Sequence, residues 1–533
     1  MTKDPPSVPA LVALLKACSK HGDLERGRRI HSSLLATPLG CRLASSNAYV
    51  RSSLVSMYAK CGALSEARQL VLDPQISPHH HVVVSWNALI TGYAQHGHGE
   101  EALRCYEQMK EEGIPPTAVT YVSTLKACGS IGAKEKGEEI HDEVTKARLL
   151  DANVLVGNAL LDMYAKCGDL TKARQIFRGL CIRDVVSWNT MISGYVQCGY
   201  SEEALRCYRQ MRREQVPPNT VTFLCTLKAC GTIGAATKGE KLHAKILRHG
   251  LLKRNSLLGT ALVDMYAKCG SLEKAQDVFD QIPTRDVIAW TALIGGYAQH
   301  GLYEKALDCF DSMQQDSISP NVVTFVCMLK ACGSIGAADR GKEIHDEIMR
   351  AGLLKKNLLV GTALVDMYAK LGDVMEAHKV FDELQLQDLE CWNAIISGYG
   401  QCGEHDMVVS LFNKLIEKGM VPNQVTFNIV LNACSHSGLL DTGQLYFHIM
   451  SSFYGLMPTL EHYTCMVDLF ARAGFFDKAL TIIHKMPKIP DYFPVWTALL
   501  GACQKWGHVM LGKVAFRNAL GLDEKNSALY AGM

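Results

Sequence analysis

The chain has 533 residues, 48% of them hydrophobic, and 55 Lys and Arg face 53 Asp and Glu for a formal net charge of +2. That balance excludes a globally basic protein, so any surface for an anionic partner must be local. The 20 cysteines recur at helix-like positions such as Cys18, Cys128, Cys230 and Cys332 with no Cys-x-x-Cys spacing, which favours reduced core thiols over a disulfide framework or zinc site, and no run of 18 apolar residues offers a membrane span.

Met1 to Pro9 holds Asp4 and three prolines, and the first repeat-like helix begins by Leu11, which leaves no room for an arginine-rich presequence. Val12 to Cys18 and Ser52 to Cys61 match the openings of units found later. Cys41 to Tyr49 and Ser77 to Val82 are longer than their later counterparts, so residues 1–82 read as an irregular N-terminal region. The run His79-His80-His81 has no acidic or cysteine partner nearby in sequence and reads as solvated loop rather than a metal site.

From Val83 the chain becomes periodic. Met163-Tyr164-Ala165-Lys166 returns at Met265 and Met367, Trp86 returns at Trp188, Trp290 and Trp392, and Leu-Lys-Ala-Cys ends at Cys128, Cys230 and Cys332, each 102 residues apart. Each period divides into units of 31, 35 and 36 residues, such as Val154 to Asp184, Val185 to Asn219 and Thr220 to Asn255. Each unit reads as two amphipathic helices. In the first, Ala159, Leu160, Met163 and Tyr164 share one face and Leu170, Ala173, Ile176 and Phe177 another. Cys167-Gly168 closes the first helix, Asp169 caps the second, and Pro217-Pro218 ends the next hairpin. The array runs over 83–491, and 492–533 keeps helical character without the consensus, as a solenoid cap does. A fixed period of this kind predicts stacked repeats and no separate globular cores.

Asn158 to Gly168, Val-Val-Ser-Trp-Asn at 185 to 189 and Leu-Lys-Ala-Cys-Gly at 227 to 231 resemble the S, P and L units of plant PLS-class pentatricopeptide repeat proteins. The end from Asp491 resembles the first part of their E-type extension. The resemblance implies an all-α, right-handed superhelical solenoid of helix-turn-helix repeats that reads single-stranded RNA one base per unit. Mitochondrion and chloroplast are both implied as compartments.

Comparison between copies points to the same surface. In the 31- and 35-residue units the fifth residue of the first helix and the last residue of the unit vary within Asn, Thr and Asp: Asn87 with Thr117, Asn158 with Asp184, Asn189 with Asn219, Thr260 with Asp286, Thr291 with Asn321, Thr362 with Asp388, and Asn393 with Asn423. Short polar side chains suit base-edge hydrogen bonds; packing would select apolar residues and a solvated face would admit Lys and Glu. Helix capping is the alternative for the last residue, while the fifth lies inside a helix, where Asn is a poor former. The 36-residue units carry Val122, Leu224 and Val326 at the fifth position, which form no base hydrogen bond, and read as spacers or weak readers.

The second residues Val84, Leu155, Val186, Leu257, Ile288 and Leu359 are implied by the resemblance to wedge between bases, with inter-repeat packing the alternative and Glu390 breaking the series. Lys60, Lys166, Lys268 and Lys370 are candidates for neutralising phosphates, or are solvated helix C-termini.

Catalysis has no visible centre. A cytidine-deaminase site needs His-x-Glu followed by Cys-x-x-Cys. His141-Asp142-Glu143 and His345-Asp346-Glu347 lack the cysteine pair; no cofactor motif is present, and an enzyme is not expected. The reading is a site-recognition factor for C-to-U editing of organellar RNA, with a deaminase-bearing protein acting in trans. A peptide-binding repeat scaffold and the front part of a complete editing enzyme are the alternatives. An acceptor-only Asp suits G and U, whereas Asn also donates and suits A and C. The resemblance pairs fifth-position Thr with purines and Asn with pyrimidines. The expected tract is 5′-Y-n-U-Y-n-G-A-n-G-Y-3′, Y being a pyrimidine and n any base.

Overall fold

The computed structural model describes residues 7–72, 82–252, 255–486 and 493–520, and among these the regular elements are helices, with no strand. Local chemistry starts and stops each one. In the unit that opens at Val154 the first helix runs Val154–Lys166 and the second Leu170–Gly179. Between them Gly168 has φ of +79°, a left-handed conformation in which a Cβ would be strained. Asp169 then accepts the Lys172 N–H at 3.0 Å and caps the second helix.

The contacts group the chain into two compact units, Met1–Pro283 and Thr284–Met533. Within each, the first helices of successive pairs, called A here, stack directly on one another, while each second helix, B, lies against its own A helix and, through nearly all of the array, also against the next. In each compact unit two layers therefore share a core that no single pair could bury alone. Met163, Leu160 and Tyr164 of the A helix and Ala173 and Phe177 of the B helix are buried.

Recurrent side chains weld neighbouring pairs. Trp188 is fully buried with the edge of Phe177 at 4.6 Å between ring centroids, and Trp392 meets Phe381 at 4.8 Å. The tyrosine of each Met-Tyr-Ala-Lys motif bonds a histidine from the preceding B helix: Tyr164 Oη lies 2.9 Å from His141 Nδ1, Tyr266 Oη 3.1 Å from His243 and Tyr368 Oη 2.9 Å from His345. Adjacent A helices also approach closely enough that a Cβ on Gly194 would stand 2.8 Å from Ala165 Cβ, and one on Gly398 2.7 Å from Ala369 Cβ.

The irregular N-terminal stretch folds in part as an added helix, Pro38–Ser46; a shorter counterpart, Leu149–Ala152, occurs in a 36-residue unit. The first helix starts at Val8. At the other end Phe493–Trp506 and Val509–Leu520 form a last pair, and Trp506 Nε1 donates to the Arg472 carbonyl at 3.0 Å. The triple histidine at 79–81 and the segment Asn526 to Tyr530 lie outside the described residues. Among the described residues no helix is long and apolar enough to cross a membrane.

Replacing Gly194 by Ala should destabilise the protein by up to about 2 kcal/mol in denaturant unfolding, since an overpacking cost of roughly 1–3 kcal/mol opposes a helix-propensity gain of about 1 kcal/mol. Gly179→Ala, where a Cβ meets nothing within 4 Å, should be neutral or stabilising, and equal behaviour of the two would refute the close-approach argument.

Burial holds His141, His243 and His345 below the ordinary histidine pKa. A depressed folded pKa means the unfolded chain binds more protons, so stability is full above about pH 6.5 and is lost as pH falls through that value. The melting temperature should drop between pH 7.5 and 5.5, and the drop should shrink when the three are replaced by Gln.

Candidate nucleic-acid interface

Five of the seven pairs of fifth and last residues, far apart in sequence, meet in space, whereas Asn393 and Asn423 form no hydrogen bond with each other. Asn87 Nδ2 donates to Thr117 Oγ1 at 3.0 Å, Asn158 Nδ2 to Asp184 Oδ1 at 3.2 Å and Asn189 Nδ2 to Asn219 Oδ1 at 3.0 Å. In the second compact unit Asn321 Nδ2 donates to Thr291 Oγ1 at 3.3 Å and Thr362 Oγ1 to Asp388 Oδ1 at 3.5 Å. Thr260 belongs to the first compact unit and Asp286 to the second.

Each last residue also caps the next A helix. Asp184 Oδ1 accepts the Ser187 N–H at 2.8 Å, Asn219 Oδ1 that of Thr222 at 3.0 Å, Asp286 that of Ala289 at 2.8 Å, Asn321 that of Thr324 at 2.9 Å, Asp388 that of Cys391 at 2.8 Å and Asn423 that of Thr426 at 3.0 Å. Thr117 does the same for Thr120, at 3.5 Å. Capping and pairing with the fifth residue are thus two uses of one side chain, not alternatives. Burial pushes the Asp184 carboxyl up, but hydrogen bonds from the Ser187 N–H and hydroxyl and from Asn158 outweigh it, so the carboxyl sits below the usual aspartate range and stays ionised.

A third participant is not singled out in the sequence reading. Thr120, Thr222, Thr324 and Thr426, the third residue of each 36-residue unit, are fully buried. Thr120 Oγ1 donates to Asn87 Oδ1 and Thr222 Oγ1 to Asn189 Oδ1, both at 2.6 Å, and Thr324 Oγ1 lies 2.8 Å from Thr291 Oγ1. They orient the fifth residue of the unit before. Their recurrence at intervals of 102 was the available signal. At the other junctions Ser187, Ala289 and Cys391 replace them, and there Asn158 Oδ1 is buried with no hydrogen-bond partner. Asn393 Oδ1 is likewise buried and unpartnered.

Beside these pairs runs a row of exposed apolar side chains. Val84, Leu155, Val186, Leu257, Ile288 and Leu359 are 51–67% exposed, far more than packing between repeats would leave. The row also takes in Val119, Val221, Val323 and Val425 from the 36-residue units, and Tyr49 near the start. Although apolar at the fifth position, those units thus contribute an exposed side chain to the row. Glu390 and Glu461, both exposed, occupy the same helix position late in the array.

Three of the four candidate phosphate-binding lysines are already paired. Lys166, Lys268 and Lys370 reach Asp162, Asp264 and Asp366 at 2.7, 2.8 and 2.6 Å within their own helices. Their stems lie over the glycine of the preceding Leu-Lys-Ala-Cys-Gly motif, where a Cβ on Gly129 would stand 3.3 Å from Lys166 Cδ. Arg472 and Asp468 repeat the arrangement at 2.7 Å; Lys60, with Ser56 in place of the aspartate, does not.

The His-x-Glu residues serve the scaffold. His141 bonds Tyr164, and Glu143 accepts from Tyr106 Oη and Lys110 Nζ, each at 2.6 Å. His345 bonds Tyr368 in the same way, and Glu347 accepts from Gln314 at 3.0 Å. Among the described residues no cluster of three His, Cys, Asp or Glu side chains could hold a metal ion. In the second compact unit a cleft of about 940 Å³ is lined by polar residues such as Gln401, Asn428 and Glu461 together with apolar ones such as Ile429, Leu460 and Pro494.

Thr222→Val keeps the shape but removes a buried hydroxyl that bonds Asn189 and Asn219, and should cost about 1–3 kcal/mol in denaturant unfolding. Thr222→Ser should recover most of it. A valine variant as stable as the parent would mean that the hydroxyl network contributes nothing.

Known proteins carry the same architecture. The description PPR repeat family matches residues 81–130, 183–232, 285–334 and 387–436, and PPR repeat matches 158–184, 260–287, 362–389, 425–453 and 461–489. A mitochondrial pentatricopeptide repeat-containing protein of Arabidopsis thaliana is 35% identical over 97% of this chain and 73% of its own length. Two chloroplastic ones from the same plant are 37% and 34% identical over 92% and 98% of this chain, which spans only 59% of each. The crystal structure of PPR10 with an 18-nt psaJ RNA element superposes with a TM-score of 0.54 at 18% identity, covering 99% of this chain and 85% of that one; at that identity the likeness concerns the fold. Matched along its length by these repeats and by relatives above 30% identity, the chain belongs to the pentatricopeptide repeat family.

Proposed function

We propose that this protein binds single-stranded RNA by sequence in a plant organelle and serves as the recognition factor for C-to-U editing, with the deaminase supplied by another chain. The observation that carries the reading is the alternation, along the A-helix face, of pre-oriented polar pairs with exposed apolar side chains. The pairs present hydrogen-bonding edges to bases, and the apolar residues between them offer contact to base faces. The orphaned Asn158 and Asn393 carbonyl oxygens belong to the same surface. An unpaired buried acceptor costs about 1–3 kcal/mol, and a polar ligand that draws these side chains outward relieves it.

Several relatives carry mitochondrial or chloroplastic in their names, and PPR10 is known in complex with RNA; both support an organellar RNA partner. The resemblance to PLS-class arrays with an E-type extension supports the editing role. Placement of the deaminase in trans is supported by the scaffold contacts that occupy His141 and Glu143.

The purified chain should bind its tract as a single strand and bind the perfect duplex poorly. Changing Thr291→Asn with Asn321→Asp gives that unit the pair found at Asn158 and Asp184, and should move the preference at the seventh base from A to U by roughly 1–3 kcal/mol. Equal affinity for single strand and duplex would overturn the RNA reading. An unchanged preference in the double variant would overturn the assignment of that pair, and conversion of cytidine by the chain alone would overturn the placement of the deaminase.

A further inference from the structure

Lined up by helix position, the A helices show a charge pattern that the functional reading leaves unused. Positions two, five, nine and thirteen share one face, since seven residues of α-helix return to within about 20° of the starting direction. At position nine the 36-residue units carry Lys126, Lys228 and Lys330, the 31-residue units carry Asp162, Asp264 and Asp366, and the 35-residue units carry Thr91, Ser193, Gly295 and Ser397. Lys16 takes the same place in the helix Val8–His21.

The acidic residues are internally balanced by Lys166, Lys268 and Lys370 at position thirteen. The lysines at position nine are not. All are exposed, and among the described residues Lys126, Lys228 and Lys330 have no carboxylate within ion-pairing distance. Positions two, five and thirteen of their helices hold only Val, Leu, Ser or Thr. Position nine therefore carries one unpaired lysine in each of the first three periods, always on a 36-residue unit. In the fourth period Asn432 stands where the lysine would be, and Glu461 follows it on the next A helix.

We propose that Lys126, Lys228 and Lys330 are phosphate ligands, and that the 36-residue units hold the RNA backbone rather than read bases. This rests on the RNA-binding function proposed above. The apolar fifth residues Val122, Leu224 and Val326 make no base hydrogen bond. One helical turn beyond them, on the same face, an unpaired ammonium on a flexible stem is a point-charge partner for a phosphodiester. With one base per unit, the strand is tethered at every third nucleotide and left free between tethers for its bases to meet the polar pairs. The tether ends where Asn432 and Glu461 replace it.

The test measures affinity for the single-stranded tract against salt concentration in the full chain. Each phosphate contact to a single strand contributes about 0.7 to the slope of log affinity against log salt. Lys126→Gln, Lys228→Gln and Lys330→Gln together should flatten the slope by about 2, with the preference at the seventh base unchanged.

A charge-matched control replaces Lys146, Lys241 and Lys342, exposed on B helices, by Gln. A second control removes three balanced pairs, Asp162, Asp264 and Asp366 becoming Asn and Lys166, Lys268 and Lys370 becoming Gln. Both controls should keep the parent slope. A position-nine triple variant with the parent slope, or a B-helix control that flattens it equally, would overturn the proposal while leaving RNA binding intact. A parent chain that binds no single strand would overturn the functional reading and the proposal together.

Discussion

The hydrogen bond from a unit's last side chain to the backbone N–H of the third residue in the next A helix is the constraint on which the rest depends. It satisfies a donor that a helix start otherwise leaves orphaned, so it sets where the A helices of the 35- and 36-residue units begin, while Asn153, Asn255 and Asn357 cap those of the 31-residue units through the second-residue N–H. Because Asp184, Asn219 and Asn321 spend an oxygen on this cap, their remaining polar atoms are fixed in direction. The fifth residue of the same unit docks onto that side chain, Asn158 and Asn189 donating to the capping oxygens of Asp184 and Asn219 and Thr291 accepting from Asn321 Nδ2. A structural device and a recognition device are therefore the same atoms, and a substitution that alters one alters the other.

Packing gives that arrangement its rigidity. The close contact of Gly194 with Ala165, the buried edge of Phe177 on Trp188 and the His141–Tyr164 bond each join one pair to the next, so every unit is stabilised mainly by its neighbours. Polar groups of varying identity are tolerated at the fifth and last positions because this scaffold does not rely on them for its core. Such a division of labour allows the surface to change while the stack persists.

Charge follows a similar economy. A nearly neutral chain with balanced Asp–Lys pairs at Asp162, Asp264 and Asp366 and unbalanced lysines at Lys126, Lys228 and Lys330 places its exposed positive charge at intervals and not uniformly. Uniform excess would strengthen binding to any polyanion; spaced charge leaves more of the affinity to base contacts.

The sequence by itself determined the helix pairs, their period, the turns at Gly168 and Pro217-Pro218, and the identities of the paired residues Asn158 with Asp184 and Asn189 with Asn219. These follow from short-range chemistry and from comparison of copies within one chain. Only the tertiary structure decided that capping and pairing coexist in one side chain, that Thr120, Thr222 and Thr324 lock the fifth residue, and that Lys166, Lys268 and Lys370 are already paired to aspartates. It also showed that the 36-residue units continue the exposed apolar row through Val119, Val221 and Val323. The reason is physical: hydrogen-bond partners and exposure are properties of neighbouring helices, and a neighbour across the stack stands some thirty residues away in sequence, where periodicity records recurrence without recording contact.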